Sequence, residues 1–518
     1  MLRPTGRTKP IHSKLKLWFR ARQGGSKAPT VMLVVKSLTS MRAASLPLYL
    51  LATIAAGLSH TSPARAVDND DLACAWPIET TPAKANVAYP DSNATYWTMP
   101  FFSVPGLKIT LTGIFPDARY FAFDVYGSDT LDFSRTGRSS TLPDYEIQPI
   151  LGTLNPWQMG GGQRGNYRIV ISNGPEVGES NLMPLSPLVE PESLIPLLPD
   201  STGYLMMRVY LPKGGDPNSV QAVELPDITF SLGGNSRTLS PCAIAQSDAG
   251  DFGPNGSLGA LIRDQLSQSE GGPCQENNSC PPLLGFFRAG GSQTPFPNGI
   301  SGYVAALYQP APGYVSVVRA KMPSSSSSAA DGPALWPDPA ADLRYWSFCN
   351  YLYREPFPVI EEDGNAGCIA DFQVPLVDQV ATLVLSSVAD RPPVTLDPAA
   401  NLTWLPTSSS YPEALEVIAV RNMLAAADFA QSVTNISAYS DLALAASTMG
   451  TYYPEMTQCS VASFNAGGVS ACFSNPESPP LNGTSLPVPI PRIVYWFMAM
   501  GVLILTLKKL KQRPSIAS

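Results

Sequence analysis

Short runs of alternating apolar and polar residues dominate the chain. Lys108 to Phe115 (KITLTGIF), Arg119 to Tyr126 (RYFAFDVY), Tyr167 to Ser172 (YRIVIS), Leu205 to Leu211 (LMMRVYL) and Asp227 to Leu232 (DITFSL) are rich in β-branched and aromatic residues and lie close to Gly, Pro, Asn or Asp. This is the signature of strands in an antiparallel sheet. Helical periodicity is confined to two places: Leu258 to Gln268, and Arg421 to Ser432, where Met423, Leu424, Ala427, Phe429 and Ala430 suit one stripe.

Two apolar stretches break the alternation. Ser45 to Leu58 follows Arg42 and precedes Ser62-Pro63-Ala64-Arg65-Ala66, the layout of a secretory signal cleaved after Ala66. Met32 or Met41 would give that signal a more usual length. Ile493 to Leu507 is followed by Lys508, Lys509, Lys511 and Arg513, with Tyr495 and Trp496 at its outer end. Basic residues stay on the cytoplasmic side and aromatic residues favour the interface, so this segment predicts a membrane helix with the bulk of the chain outside. Its fifteen residues span only about 22 Å as a helix. A short anchor and a processed sorting signal, beginning at Val488-Pro489-Ile490-Pro491, are both consistent with it.

The strands come in two sets. Tyr96 to Pro116 aligns without gaps with Tyr303 to Pro323, and Asp117 to Phe123 (DARYFAF) with Asp342 to Phe348 (DLRYWSF). YRIVIS has a counterpart in Thr382 to Ser387, and Arg208 to Pro212 in Arg421 to Ala425. The shared order predicts an internal duplication. The expected fold is mainly β: two tandem antiparallel β-sandwich domains, jelly-roll-like, at 72–245 and 281–462, with a few short helices. Around them lie a leader and signal (1–66), a connector (246–280), a Pro-rich stalk (473–491), a transmembrane helix (493–507) and a basic tail (508–518).

Charge is segregated in the same way. Residues 1–66 carry eleven Lys/Arg and no acid, residues 491–518 carry five and no acid, and the stretch between has eighteen basic against forty-one acidic residues. That acidic balance argues against nucleic acid as a partner, which requires phosphate-neutralising cations. Asp68-Asn69-Asp70-Asp71 is the densest acidic cluster but lacks the glycine and closing Glu of an EF-hand loop.

All eight cysteines, Cys74, Cys242, Cys274, Cys280, Cys349, Cys368, Cys459 and Cys472, lie between the two apolar stretches. In an exported chain this reads as up to four disulfides. If each copy closes itself, the pairs are Cys74–Cys242 and Cys280–Cys459, with Cys349–Cys368 private to the second copy. A competing scheme joins Cys274–Cys280 and Cys459–Cys472.

The only histidines, His12 and His60, precede Ala66. A chain cleaved there would lack Ser-His-Asp and Cys-His nucleophile activation and histidine-ligated metal chemistry. No Walker A loop occurs, and Gly160-Gly161-Gly162-Gln163-Arg164-Gly165 reads as a hairpin loop. No metal or cofactor is expected. A glycoside hydrolase needs only two carboxylates, for which Glu176, Glu179, Glu361, Glu362 and Asp363 are candidates.

Arginines recur on apolar strand faces: Arg119 beside Phe121 and Phe123, Arg344 beside Trp346 and Phe348, Arg208 beside Met206 and Tyr210, with Arg421 in the matching place. Such an arginine must be paired or near an edge. Two readings follow: a structural pair with a buried Asp or Glu, or a binding site for an anion or carboxylate lined by aromatic residues such as Tyr96 and Tyr303. N-x-S/T sequons occur at Asn93, Asn255, Asn277, Asn401, Asn435 and Asn482.

The motifs DARYFAF, LRYWSFC, CIAD (Cys368 to Asp371), TWLP (Thr403 to Pro406), RNMLAAADFAQS (Arg421 to Ser432) and GTYYPEMTQC (Gly450 to Cys459) resemble an uncharacterised family of exported bacterial proteins. The first half is also distantly similar to paired domains of unknown function carrying a Pro-Asn-x-Asp/Asn-Thr-x-Tyr segment, here Pro90 to Tyr96. The resemblance implies export and β-sandwich architecture and no activity. This chain has Ala425 where the family would carry a proline. The reading is therefore a membrane-anchored cell-envelope binding or structural protein, located in the periplasm or at the cell surface if bacterial. Its expected partners are the membrane and a glycan, peptide or small anionic ligand. A histidine-free hydrolase of the carboxylate-pair type is the alternative.

Overall fold

The computed structural model describes residues 73–84, 86–127, 140–174, 176–185, 202–213, 223–243, 283–290, 296–326, 332–353 and 357–479. The expected signal at 1–66, the expected connector at 246–280 with its helix at 258–268, Cys274, Cys280, the expected membrane helix and the residues of the basic tail lie outside the described residues. Among the described residues no helix is long and apolar enough to cross a membrane.

The first half contributes strands β1 (Ile78–Thr80), β2 (Ala94–Phe102), β3 (Lys108–Ile114), β4 (Ala118–Tyr126), β5 (Thr141–Pro143), β6 (Asn166–Ser172), β7 (Leu182–Pro184), β8 (Thr202–Pro212), β9 (Asp227–Leu232) and β10 (Asn235–Leu239). The second contributes β11 (Leu283–Arg288), β12 (Ser301–Tyr308), β13 (Tyr314–Lys321), β14 (Leu343–Leu352), β15 (Cys368–Ala370), β16 (Leu376–Val377), β17 (Val380–Ser386), β18 (Thr403–Pro406), β19 (Glu416–Ala425) and β20 (Glu455–Ser460). The helices are α1 (Pro156–Met159), α2 (Leu442–Met449) and α3 (Val461–Ser474).

The strands form four sheets. Sheet I runs β1-β2-β8-β4-β5 and sheet II β10-β9-β3-β6-β7. Sheet III runs β11-β12-β19-β14-β15 and sheet IV β16-β17-β13-β20, with β18 beside β17. Pairing is antiparallel except at β6–β7 and β17–β18. The order β2-β8-β4-β5 of sheet I repeats as β12-β19-β14-β15 in sheet III, and β9-β3-β6-β7 repeats as β20-β13-β17-β18. The duplication read from the sequence is thus a duplication of strand topology.

One apolar core lies between sheets I and II, built on Trp97, Ile109, Phe121, Ile169, Met207 and Ile228, and another between III and IV, built on Val304, Val318, Trp346, Leu383 and Val420. The outward faces of sheets I and III then meet each other through Tyr96, Tyr120, Tyr210, Tyr345, Ala370 and Met423. This explains why β4 and β14 are buried at every position: they are inner strands of sheets covered on both faces, where the usual apolar–polar alternation disappears.

Two expectations need correction. Arg421 to Ala425 is strand, the end of β19, not helix. β19 is hydrogen-bonded by β12 on one side and β14 on the other, and this pairing overrides a local stripe of helix-forming residues. The expected Cys280–Cys459 bridge does not form: Cys459, within β20, joins Cys472 on α3. This is the pair the competing scheme held. α3 covers the outer face of sheet IV, with Phe464 and Cys472 packed on Val315, Val317 and Trp404. The other expected pairs, Cys74–Cys242 and Cys349–Cys368, are present. Three disulfides among the described residues suggest an oxidising, extracytoplasmic environment.

Candidate functional site

All six residues proposed for binding lie where the two halves meet. Arg119 is the second residue of β4 and Arg344 the second of β14, and each guanidinium crosses to the other half. Arg119 donates from Nη1 and Nη2 to Asp371 (2.8 and 2.6 Å). Arg344 donates from the same two nitrogens to Asp144 (2.7 and 3.0 Å). The exchange extends to the backbone: Nη2 of Arg119 donates to the carbonyl of Arg344 at 3.1 Å, and Nη2 of Arg344 to that of Arg119 at 2.7 Å. Each guanidinium also faces the other half's matching ring, Arg119 over Tyr345 and Arg344 over Tyr120. The result is a pseudo-twofold pair of bidentate bridges, the strong form of charge-assisted hydrogen bond.

The two carboxylates occupy matching positions directly after β5 and β15, where a 3-10 turn follows the short strand. That turn aims a backbone N–H at each, from Tyr145 to Asp144 and from Phe372 to Asp371, and Phe121 of β4 donates a further N–H to Asp144. Burial pushes the Asp144 carboxyl up to about 6 against the opposing effect of Arg344, and raises Asp371 against Arg119. Desolvation is thus the largest influence on both acids.

The second pair of arginines is central to each sheet. Arg208 lies across from Tyr96 on one side and Ala122 on the other, and Arg421 across from Tyr303 and Ser347. Each guanidinium rests over its cross-strand tyrosine, at 5.4 Å for Tyr96 and 4.8 Å for Tyr303. Arg208 takes its carboxylate from its own half, Nε donating to Asp124 at 2.8 Å. Arg421 takes its carboxylate from the other half, with Asp91 Oδ2 3.3 Å from Nε, and donates to the Tyr210 hydroxyl at 2.5 Å.

Asp91 lies on an arm, residues 86–93, which crosses from the first half onto sheet III. Asn86 exchanges two hydrogen bonds with the Val359 backbone, and the Tyr89 N–H donates to Phe357. The hydroxyls of Tyr345 and Ser347 donate to Asp91 Oδ2. A matching arm around Phe296 crosses from the second half onto sheet I. Its Phe296 carbonyl accepts from Arg208, its Pro297 carbonyl accepts from Tyr126, and the Phe296 ring meets Tyr126 and Tyr204. Tyr89 and Phe296 both have left-handed backbone, at φ 56° and 48°, as do the paired Leu211 and Leu424 at 49° and 48°. Such conformations are costly for bulky residues and persist where packing over-determines them. Here the Leu211 N–H meets the Asn93 carbonyl and the Leu424 N–H the Ile300 carbonyl, so the same kink locks each arm.

The four arginines are buried and each faces a carboxylate. Tyr96 is buried and within 3.3 Å of the Tyr210 hydroxyl, while Tyr303 is half-buried. This geometry matches the paired-arginine reading residue by residue. The partners Asp91, Asp124, Asp144 and Asp371 were not singled out from sequence. A signal existed for two of them: Asp144-Tyr145 and Asp371-Phe372 are Asp–aromatic steps at nearly the same offset after the repeated arginines.

The acidic candidates for hydrolysis have separate partners. Glu176 pairs with Lys108, Glu179 with Arg168, and Glu362 accepts from the N–H and hydroxyl of Ser409. Glu361 lies 3.4 Å from the Ser92 hydroxyl, and burial raises its pKa. Asp363 occupies a tight turn at φ 50°.

No family model matches the chain, and no curated protein matches it. Among solved structures it is similar to an uncharacterised protein from Burkholderia cenocepacia, with 14% identity, 75% of this chain and 82% of that one covered, and a TM-score of 0.43. A second is a protein from Vibrio parahaemolyticus, with 12% identity, 71% and 90% covered, and a TM-score of 0.35.

Proposed function

We propose that the chain is an exported cell-envelope protein, tethered to a membrane by its C-terminal apolar segment, in which the duplicated β body is a rigid structural or ligand-presenting module. The observation that carries this reading is the set of three disulfides, Cys74–Cys242, Cys349–Cys368 and Cys459–Cys472, in a body flanked in sequence by an apolar run at 45–58 and another at 493–507. Disulfides persist in oxidising compartments. The four Arg–Asp pairs serve the cohesion of the body, so a glycan, peptide or small anionic ligand would be met on its outer surfaces. This reading is favoured over the hydrolase because the acidic candidates are engaged separately, by Lys108, Arg168, Ser409 and Ser92.

The test is fractionation of cells making the full chain, with thiols blocked at lysis. The body should be protease-accessible from outside the cytoplasmic membrane and its cysteines resistant to alkylation until reduced. A stop codon after Pro491 should move it from the membrane pellet to the soluble exported fraction. A cytoplasmic chain with alkylatable cysteines would overturn the reading.

A further inference from the structure

The disulfide Cys349–Cys368 stands at a place where the two halves differ. β14 and β15 set Cys349 opposite Cys368, and β4 and β5 set Asp124 opposite Thr141 in the same register. In the first half that pair is polar, with the Thr141 hydroxyl donating to Asp124 at 2.6 Å, and Asp124 is the counter-ion of Arg208. In the second half the strand position holds sulfur and the counter-ion comes from the arm. Asp91 and the two sulfurs lie within 4.8 Å of one another. The arm also roofs the disulfide: Sγ of Cys368 is 3.9 Å from the Pro90 carbonyl, and Cys349 and Cys368 are 2% and 5% exposed.

We propose that this disulfide is a redox latch on the 86–93 arm: oxidised, it leaves Arg421 to Asp91 and the arm stays docked; reduced, the Cys349 thiolate takes over Arg421 and the arm is released. Arg208 faces Ala122 across the strands and reaches Asp124 two residues further along. Arg421 faces Ser347, and Cys349 is two residues further along. A reduced Cys349 therefore stands where Asp124 stands. The Arg421 guanidinium favours a thiolate at this strand position while burial and Asp91 oppose it; with the thiolate formed, two anions compete for one buried cation, where repulsion is poorly screened. The first half displays the arrangement that a strand-borne anion requires, with an uncharged residue, Asn298, in the arm position of Asp91.

The chemistry is thiol–disulfide exchange with a dithiol. Its thiolate attacks one sulfur during a transient opening of the docked arm, and its second thiol resolves the mixed disulfide. Two electrons pass to the cystine, the S–S bond breaks and the dithiol becomes a disulfide; of its two protons one goes to the Cys368 sulfur and one to water, and Cys349 remains a thiolate.

The experiment is amide exchange of residues 86–93 in the full chain. Cys349→Asp with Cys368→Thr installs the pair of the first half; without any reductant, protection of the arm should fall about tenfold or more. Adding Asp91→Asn should restore it, and Cys349→Ser with Cys368→Ser should leave the arm protected. An arm equally protected in the Asp/Thr variant, or equally released in the Ser/Ser variant, would overturn the latch. Should these variants fail to fold, the native chain titrated with dithiothreitol gives the answer. With each cystine followed by alkylation and mass spectrometry, arm release should track Cys349–Cys368; release tracking only another cystine, or none, would overturn it.

Discussion

Asp91 and Asn298 occupy the same point on the two exchanged arms, and the charged residue sits where the facing strand has no carboxylate. Asp91 Oδ1 accepts from the Asn93 N–H, as Asn298 Oδ1 accepts from the Ile300 N–H. Behind Asp91 the strand offers Cys349; behind Asn298 it offers Asp124. Each central arginine thus receives one carboxylate, from the arm in one half and from the strand in the other.

Moving that charge should be costly and reversible. Asp91→Asn leaves Arg421 buried without its carboxylate, a loss of about 3–5 kcal/mol. Asn298→Asp places a second carboxylate beside Asp124 and should also destabilise, whereas Asn298→Asp combined with Asp124→Asn should recover most of the loss. Denaturant unfolding of the native chain, these three variants and Asp124→Asn alone checks this; additive losses for Asn298→Asp and Asp124→Asn would contradict it.

The crossed bridges make a separate prediction. Arg119→Ala and Arg344→Ala should each cost about 3–5 kcal/mol, because each strands a buried aspartate. Replacing Arg119 and Asp371 together by Met and Leu should cost less than either single truncation, since the desolvation of both ions is removed as well. The check is a double-mutant cycle in guanidinium chloride. Similar losses at Arg119 and Arg344 would reflect the pseudo-twofold geometry.

The strands were legible because alternation and β-branched content are local, and the duplication because Tyr96/Tyr303 and Pro105/Pro312 keep their spacing and Arg119/Arg344 follow in the same order after 18 extra residues in the second copy. The meeting of the two halves was not. Arg119 reaches an aspartate 252 positions away and Arg344 one 200 positions away, and no periodicity encodes such distances. The helix expected at 421–432 failed for the same reason, since the neighbours that make β19 a strand are remote in sequence. The Cys280–Cys459 expectation treated Cys459 as the counterpart of Cys242. The structure places Cys459 inside β20 and Cys242 beyond β10, so the two are not equivalent.

Glu416 predicts an unusual dependence on pH. It is buried, accepts from the Tyr308 hydroxyl (2.6 Å), the Asn350 amide (2.8 Å) and the Ser408 N–H (2.8 Å), and has no cationic partner among the described residues. Burial pushes its pKa up to about 7 from 4.5. The folded state therefore binds the proton more tightly than the unfolded one, and stability rises as pH falls from about 8 toward 4.5. The slope is at most about 1.4 kcal/mol per pH unit. Glu416→Gln should reduce the slope of this limb, leaving the part that Asp144 contributes below about pH 6. Thermal or denaturant midpoints measured across pH 5–8 test it, and a native chain more stable at pH 8 than at pH 5.5 would refute the assignment.

The disulfides should separate by what their loss unfolds. Cys459–Cys472 closes a span of 13 residues and pins α3 to β20, while Cys74–Cys242 ties together positions 168 apart at the two ends of the first half. The helix itself is weakly disposed to stay in place: Gly467 and Gly468 interrupt it, Gly468 at φ 62°, and glycine within a helix is unfavourable. Cys459→Ser with Cys472→Ser should therefore release α3 locally, at a cost of about 3 kcal/mol for a loop of this size. Amide protection should be lost at 461–474 and kept in β13 and β17. Cys74→Ser with Cys242→Ser should instead lower the global unfolding midpoint, because β1 and β10 are edge strands of sheets I and II and the disulfide joins the two sheets where Ala75 is hydrogen-bonded to Ser240 and Cys242. Hydrogen exchange by fragment distinguishes the two outcomes, and a uniform loss of protection in the first variant would show that α3 and sheet IV unfold as one.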